Sequence, residues 1–143
     1  MIELEIEAPV YPTESREKVE KALKAIVDID YSLSEKDGQN ILHGKAQGLE
    51  GVSKIYQRLR DQLIVESARK IIRRGVIGDT VTFYLHKQAA FMGKIHFSHP
   101  EAESPMGSIK ISIRSSNIEE LVDWLSPKTV EGRPLEREPP IDS

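Results

Sequence analysis

Three observations predict an α+β fold whose antiparallel-biased sheet carries helices packed on one face. The candidate elements run β-α-β-β-α-β-β-β-α, without the strict strand–helix alternation that builds parallel sheets. Two runs alternate cleanly: Ile2, Leu4, Ile6 and Ala8 with Glu3, Glu5 and Glu7, and Ile109, Ile111 and Ile113 with Lys110, Ser112 and Arg114. That period of two belongs to strands with one buried and one wet face. Between two further strand-like runs lies Asp37-Gly38, a dipeptide that tolerates the positive φ angles of tight hairpin turns. The 143-residue length falls within the common domain size of roughly 100–150 residues, so a single α+β domain is expected over residues 1–126. The Pro-rich, charged segment 127–143 holds almost nothing apolar and is expected to be a mobile tail.

Taken in order, the first strand is expected to end at Pro9 and Pro12, and Thr13 is placed as the N-cap of the first helix. Val19, Ala22, Leu23, Ile26 and Val27 recur at helical spacing behind it. Tyr31–Glu35 and Ile41–Ala46 form the hairpin. The longest helical pattern, Val52 to about Arg74, starts with Val52, Ile55, Tyr56, Leu59 and Leu63 on one stripe. Ile64, Ala68, Ile71 and Ile72 lie about a third of a turn away, so this helix either bends or packs against two surfaces, one of which suits a second subunit. Strands are expected from Thr80 to Leu85 and from Phe91 to Phe97. Ser116 and Glu119 read as the capping box of a last helix that buries Ile118, Leu121, Val122 and Leu125.

Composition narrows the function classes. At 38% apolar and 30% charged, the chain is neither fibrous nor wholly disordered. The absence of cysteine excludes disulfides, a thiolate metal site and a thiol nucleophile, and suits a reducing cytoplasm. The first residues lack the basic start and apolar run of a secretory signal, and no stretch is apolar enough to span a membrane; a cytoplasmic protein is expected. A net charge of -3 argues against a uniformly basic nucleic-acid binder, yet the charge is unevenly spread. From Val52 to Gly75, the bases Lys54, Arg58, Arg60, Arg69, Lys70, Arg73 and Arg74 face only Asp61 and Glu66, whereas acids outnumber bases from Met1 to Asp30.

No catalytic constellation stands out. The glycine-rich stretch Gly44–Gly51 lacks the spacing of phosphate-binding loops. Of His43, His86, His96 and His99 only the last two are close in sequence, and no metal or cofactor is expected. Glu119-Glu120 and Glu101–Glu103 occupy a helix start and a loop, where charge is tolerated in water. The basic helix is the constellation with most content. On one continuous helix Lys54, Arg58, Arg69 and Arg73 share a face able to contact several phosphates, the alternative being a solvated face. Lys87 and Lys94 flank Gln88, Phe91 and Met92, a basic and aromatic mixture of the kind that stacks on single-stranded bases, although a phenylalanine such as Phe91 more often belongs to a core.

At these residues the sequence resembles a known family. Leu59-Arg60-Asp61-Gln62 with Ala68-Arg69, the run Phe83 to Lys94 containing Lys87-Gln88-Ala89-Ala90, and the loop Glu103-Ser104-Pro105-Met106-Gly107 are similar to the signature segments of an uncharacterised archaeal protein family. That family is predicted to be an RNA-binding, exosome-associated subunit with a fold similar to ribosomal protein L five. The likeness covers Met1 to about Gly132. It implies an α+β sandwich, an archaeal cytoplasmic setting and an RNA role, with no catalytic residues to carry over.

The expectation is a non-catalytic RNA-binding protein associated with RNA processing. Its candidate RNA-contacting residues are Lys54, Arg58, Arg60, Arg69, Arg73, Lys87, Gln88 and Lys94. The alternative is a protein-interaction or homodimerisation module without nucleic-acid binding, using Ile64, Ala68, Ile71 and Ile72 as its interface. An enzyme assembled from scattered residues, with Glu103, His86 and Lys87 as candidates, ranks third.

Overall fold

The computed structural model describes residues 1–98 and 107–140. Strand β1 (Glu3–Val10) is followed by α1 (Arg16–Ile26), the hairpin β2 (Ser32–Lys36) and β3 (Gln39–Gln47), and the helices α2 (Glu50–Asp61) and α3 (Val65–Arg74). Next come β4 (Val76–Ile77), β5 (Thr80–His86), the short helix α4 (Lys87–Phe91), β6 (Phe97–Ser98), β7 (Ser108–Arg114) and α5 (Ile118–Leu125). A hairpin of β8 (Thr129–Val130) and β9 (Arg133–Pro134) lies in the C-terminal segment.

The main sheet runs β2-β3-β1-β7-β5-β4, with β6 also on β5, and all of its pairings are antiparallel. Alternation decides its two faces as expected. Leu4, Ile6, Leu42, Val81, Phe83, Leu85, Ile109, Ile111 and Ile113 are buried on the helical side. Glu5, Glu7, Lys45, Lys110 and Arg114 stand exposed on the other. There the charges pair across strands, Lys45 with Glu5 at 3.4 Å and Arg114 with Glu3. Asp37 and Gly38 take φ of 52° and 78° at the expected hairpin turn.

The expected single helix from Val52 to Arg74 is two helices. Leu63 adopts φ 57°, its amide donates to Arg60 O (3.0 Å), and the Ile64 amide donates to Leu59 O (3.0 Å). This is the Schellman pattern that stops a helix, with leucine where glycine is usual. Periodicity is blind to it, because the left-handed residue carries no compositional mark. The displaced stripe is the second helix, and it packs inward: Ala68 and Ile72 are fully buried, and Ile64 and Ile71 half-buried. These four residues therefore do not form the free interface expected of them.

Other boundaries also move. β1 continues through Pro9 to Val10 against β3, beyond its last pairing with β7 at Glu7. Ser15, not Thr13, caps α1, its hydroxyl accepting from the Lys18 amide at 3.4 Å. Of the strand expected over Phe91–Phe97 only Phe97 is in a strand; Phe91 ends α4, and Gly93 at φ 72° closes a second Schellman pattern behind it (Gly93 N to Ala90 O, Lys94 N to Ala89 O). Asn117, not Ser116, begins α5, because the Ser115 amide is drawn to Asp79 O and the Ser115 hydroxyl accepts from the Asn117 amide. Glu101 and residues 103–106 of the motif loop lie outside the described residues, as does His99.

Candidate nucleic-acid interface

The broken helix divides the basic stripe. Arg58 turns towards α1 and α4: its Nε donates to Ala25 O (2.8 Å) and its Nη1 to Gly93 O (2.6 Å). Those carbonyls sit at the C-terminal ends of two helices, where the helix dipole and unpaired oxygens favour a cation. Lys54, one turn earlier, donates to Lys24 O at 3.4 Å. The buried Tyr31 hydroxyl donates to Val27 O and Leu23 O in the same end of α1, and burial raises its pKa further above the ordinary phenol value.

Arg60 lies on the opposite side of α2 and serves α5. It donates to Leu125 O (2.6 Å) and Trp124 O (3.2 Å), and its guanidinium lies over the Tyr56 ring, which stacks on Trp124. Glu136 from the C-terminal segment closes the cluster at 2.7 Å, and the Arg60 hydrogen bond holds its carboxyl below the usual range. Arg69 donates to Ser126 O and pairs with Asp123, both at 2.9 Å. Arg73 reaches Glu119 at 3.2 Å and Asp123 at 3.6 Å. Arg60, Arg69 and Arg73 are thus committed to α5 and its acids, and the four-cation face expected of one straight helix does not exist.

Lys87 is a second correction. It is fully buried, donating to Pro9 O (2.6 Å) and pairing with the equally hidden Glu14 (2.9 Å). Burial lowers its proton affinity and Glu14 partly restores it. A lysine so enclosed reaches no phosphate. His86 and His96 lie with ring centroids 4.7 Å apart, and burial, then the neighbouring ring, lowers the His86 pKa. Among the described residues no group of three or more potential ligands converges on a metal position.

What stays exposed from the expected set is Lys54, Arg73, Gln88 and Lys94, and of these Arg73 is already paired with Glu119 and Asp123. Arg58 draws Lys54 and Lys94 together, since it bonds the end of α1 beside Lys54's own partner and the carbonyl preceding Lys94. Lys24, whose carbonyl takes the Lys54 bond and whose own ammonium lies 4.0 Å from Glu20, is a neighbour the linear charge count assigns to the acidic N-terminal region. Only the α1–α2 packing reveals it. Phe91 and Met92, 40% and 77% exposed, continue the surface along α4.

Residues 3–115 match the family model described as RNA binding. A UPF0201 protein of Aeropyrum pernix is 43% identical over 94% of this chain and 91% of its own length. The chain belongs to the UPF0201 family. Its UPF0201 relative from Sulfurisphaera tokodaii is 39% identical over 97% of both chains. The crystal structure of the Methanococcus jannaschii UPF0201 protein superposes with a TM-score of 0.80 at 28% identity, covering 94% of this chain and 99% of that one. A DUF54 protein from Methanothermobacter thermautotrophicus shares the fold at TM-score 0.59 and 18% identity, covering 85% and 92%. Among the described residues, no helix is long and apolar enough to cross a membrane.

Proposed function

We propose that this chain binds RNA without catalysing its turnover, through the surface where α1, α2 and α4 converge. The observation that carries the reading is the RNA-binding family match over residues 3–115. Lys24, Lys54 and Lys94 contact phosphates there, Arg58 positions them, and Gln88 and Phe91 supply contacts to bases. A binder rather than a catalyst is supported by the enclosure of Lys87 with Glu14, where no substrate in solution reaches the amine. Association with an RNA-processing assembly in the cytoplasm belongs to the same proposal, with the family resemblance as its support.

The test is RNA binding of the intact chain across a salt series. Micromolar binding that weakens with salt is expected, and Lys54→Glu with Lys94→Glu should reduce both affinity and the salt slope, by roughly 0.7 for each single-strand phosphate that is no longer neutralised. No binding at low salt, or a double variant that binds as the parent does, overturns the assignment. Arg58 is unsuited to this test, because its replacement removes two helix ties along with a charge.

A further inference from the structure

Strand β5 lies near the sheet margin, and its outer edge is covered only in part. β4 pairs with it at Thr80 and Val81, β6 at Tyr84 and Leu85, and Thr82 and Phe83 between them face no strand. The Thr82 amide is satisfied by Gly75 O at 3.0 Å, the point where α3 ends against the sheet. A Cβ on Gly75 would stand 2.0 Å from Thr82 O, so only glycine lets the helix end come this close.

Beside this gap is a cavity of about 230 Å3, walled by Ile71, Phe83, Tyr84 and Phe97, with Arg74, Thr82 and Ser98 among its polar groups. Phe83 and Phe97 meet edge to face at 5.7 Å, fixing the aromatic wall. Arg74 is exposed and, unlike Arg60, Arg69 and Arg73, forms no ion pair among the described residues. The volume falls below the roughly 300–1,000 Å3 that encloses a drug-sized ligand, so the notch suits a single ring with its substituent outside.

We propose that this notch is a nucleotide subsite, taking one unstacked base against Phe97 and Ile71 while Arg74 holds the adjoining phosphate. Aromatic faces accept any base, and a guanidinium matches phosphate geometry. The proposal deepens the RNA-binding reading and rests on it for the source of the base. Phe97 follows Lys94 by three residues, at most roughly 11 Å along the chain, so one strand can engage both places.

Two titrations followed by amide NMR on the intact chain test this, one with uridine and adenosine monophosphates against inorganic phosphate, the other with short single-stranded RNA. The proposal expects saturable shifts at Thr82, Phe83 and Ser98 from the monophosphates and none there from phosphate alone. Arg74→Gln, at an exposed position, should keep the fold and weaken monophosphates and RNA roughly tenfold. If monophosphates leave those amides unmoved and the Arg74 variant binds RNA normally while the Lys54/Lys94 variant does not, the notch is overturned and the RNA reading stands. If monophosphates fill the notch and RNA fails to bind at low salt, the notch is upheld as a free-nucleotide site and the RNA reading falls.

Discussion

Lys87 and Arg58 show how one residue type serves opposite ends. Lys87 has lost its water entirely, and its charge is tolerated through Pro9 O and Glu14. Replacing it by methionine leaves the Glu14 carboxylate buried with no counter-charge and only the Tyr11 amide as donor, one of its oxygens lacking any partner. Denaturant unfolding should show a loss of about 3–5 kcal/mol, much of it recovered when Glu14→Leu is added. Arg58 retains partial exposure and bonds two helix ends. Arg58→Ala is expected to cost about 1.5–3 kcal/mol, with the same measurement reading it. Both residues look like surface cations in a linear sequence, because the oxygens they serve lie 33 to 78 positions away.

At the scale of elements, the break between α2 and α3 decides what the basic stretch can do. Leu63 is 90% exposed at positive φ, so it contributes neither packing nor a relaxed backbone. Leu63→Gly should raise stability by up to about 1 kcal/mol, measured by thermal or denaturant unfolding; a loss would mean that the exposed side chain has a packing role. The C-terminal segment carries a second element-level contact. Glu136 is held by Arg60 with its carboxyl below its ordinary 4.5. A depressed acid stabilises its contact above the unfolded value and loses it as the pH falls through the lower, folded value. Fluorescence of Trp124, the chain's one tryptophan, should therefore change in a step below pH 4.5, and Glu136→Gln should abolish that step. The hairpin and strands with strict alternation were legible before the structure, since period and turn chemistry are local. The β8–β9 hairpin and α4 were not: each is too short to establish a period, and Gln62 braces the chain after α4 by bonding both polar groups of Ile95.

Across the whole molecule, the all-antiparallel sheet and the open polar face follow from composition patterns, so the α+β class was readable. The candidate site was readable only as a supply of cations. Which of them stay available depends on helix ends arriving from distant parts of the chain; Arg74 was visible only as one base of the run, and the notch beside β5 has no linear signature. Gly75 ties these levels together: Gly75→Ala should destabilise the fold and disturb the notch at once, since the added methyl meets the Thr82 carbonyl rather than a movable side chain. Circular dichroism melting together with monophosphate titration reads both effects.

The central place of β1 also bears on how the protein is made. Its two neighbours are β3, close in sequence, and β7, whose Arg114 lies 111 positions from its partner Glu3. On the ribosome, β1 to β3 can pair early, but one margin of β1 waits open until nearly the whole chain has emerged. Folding is then expected to finish late and slowly for its size. A chain stalled before Ser108 would present that bare margin to its neighbours, the form most prone to self-association.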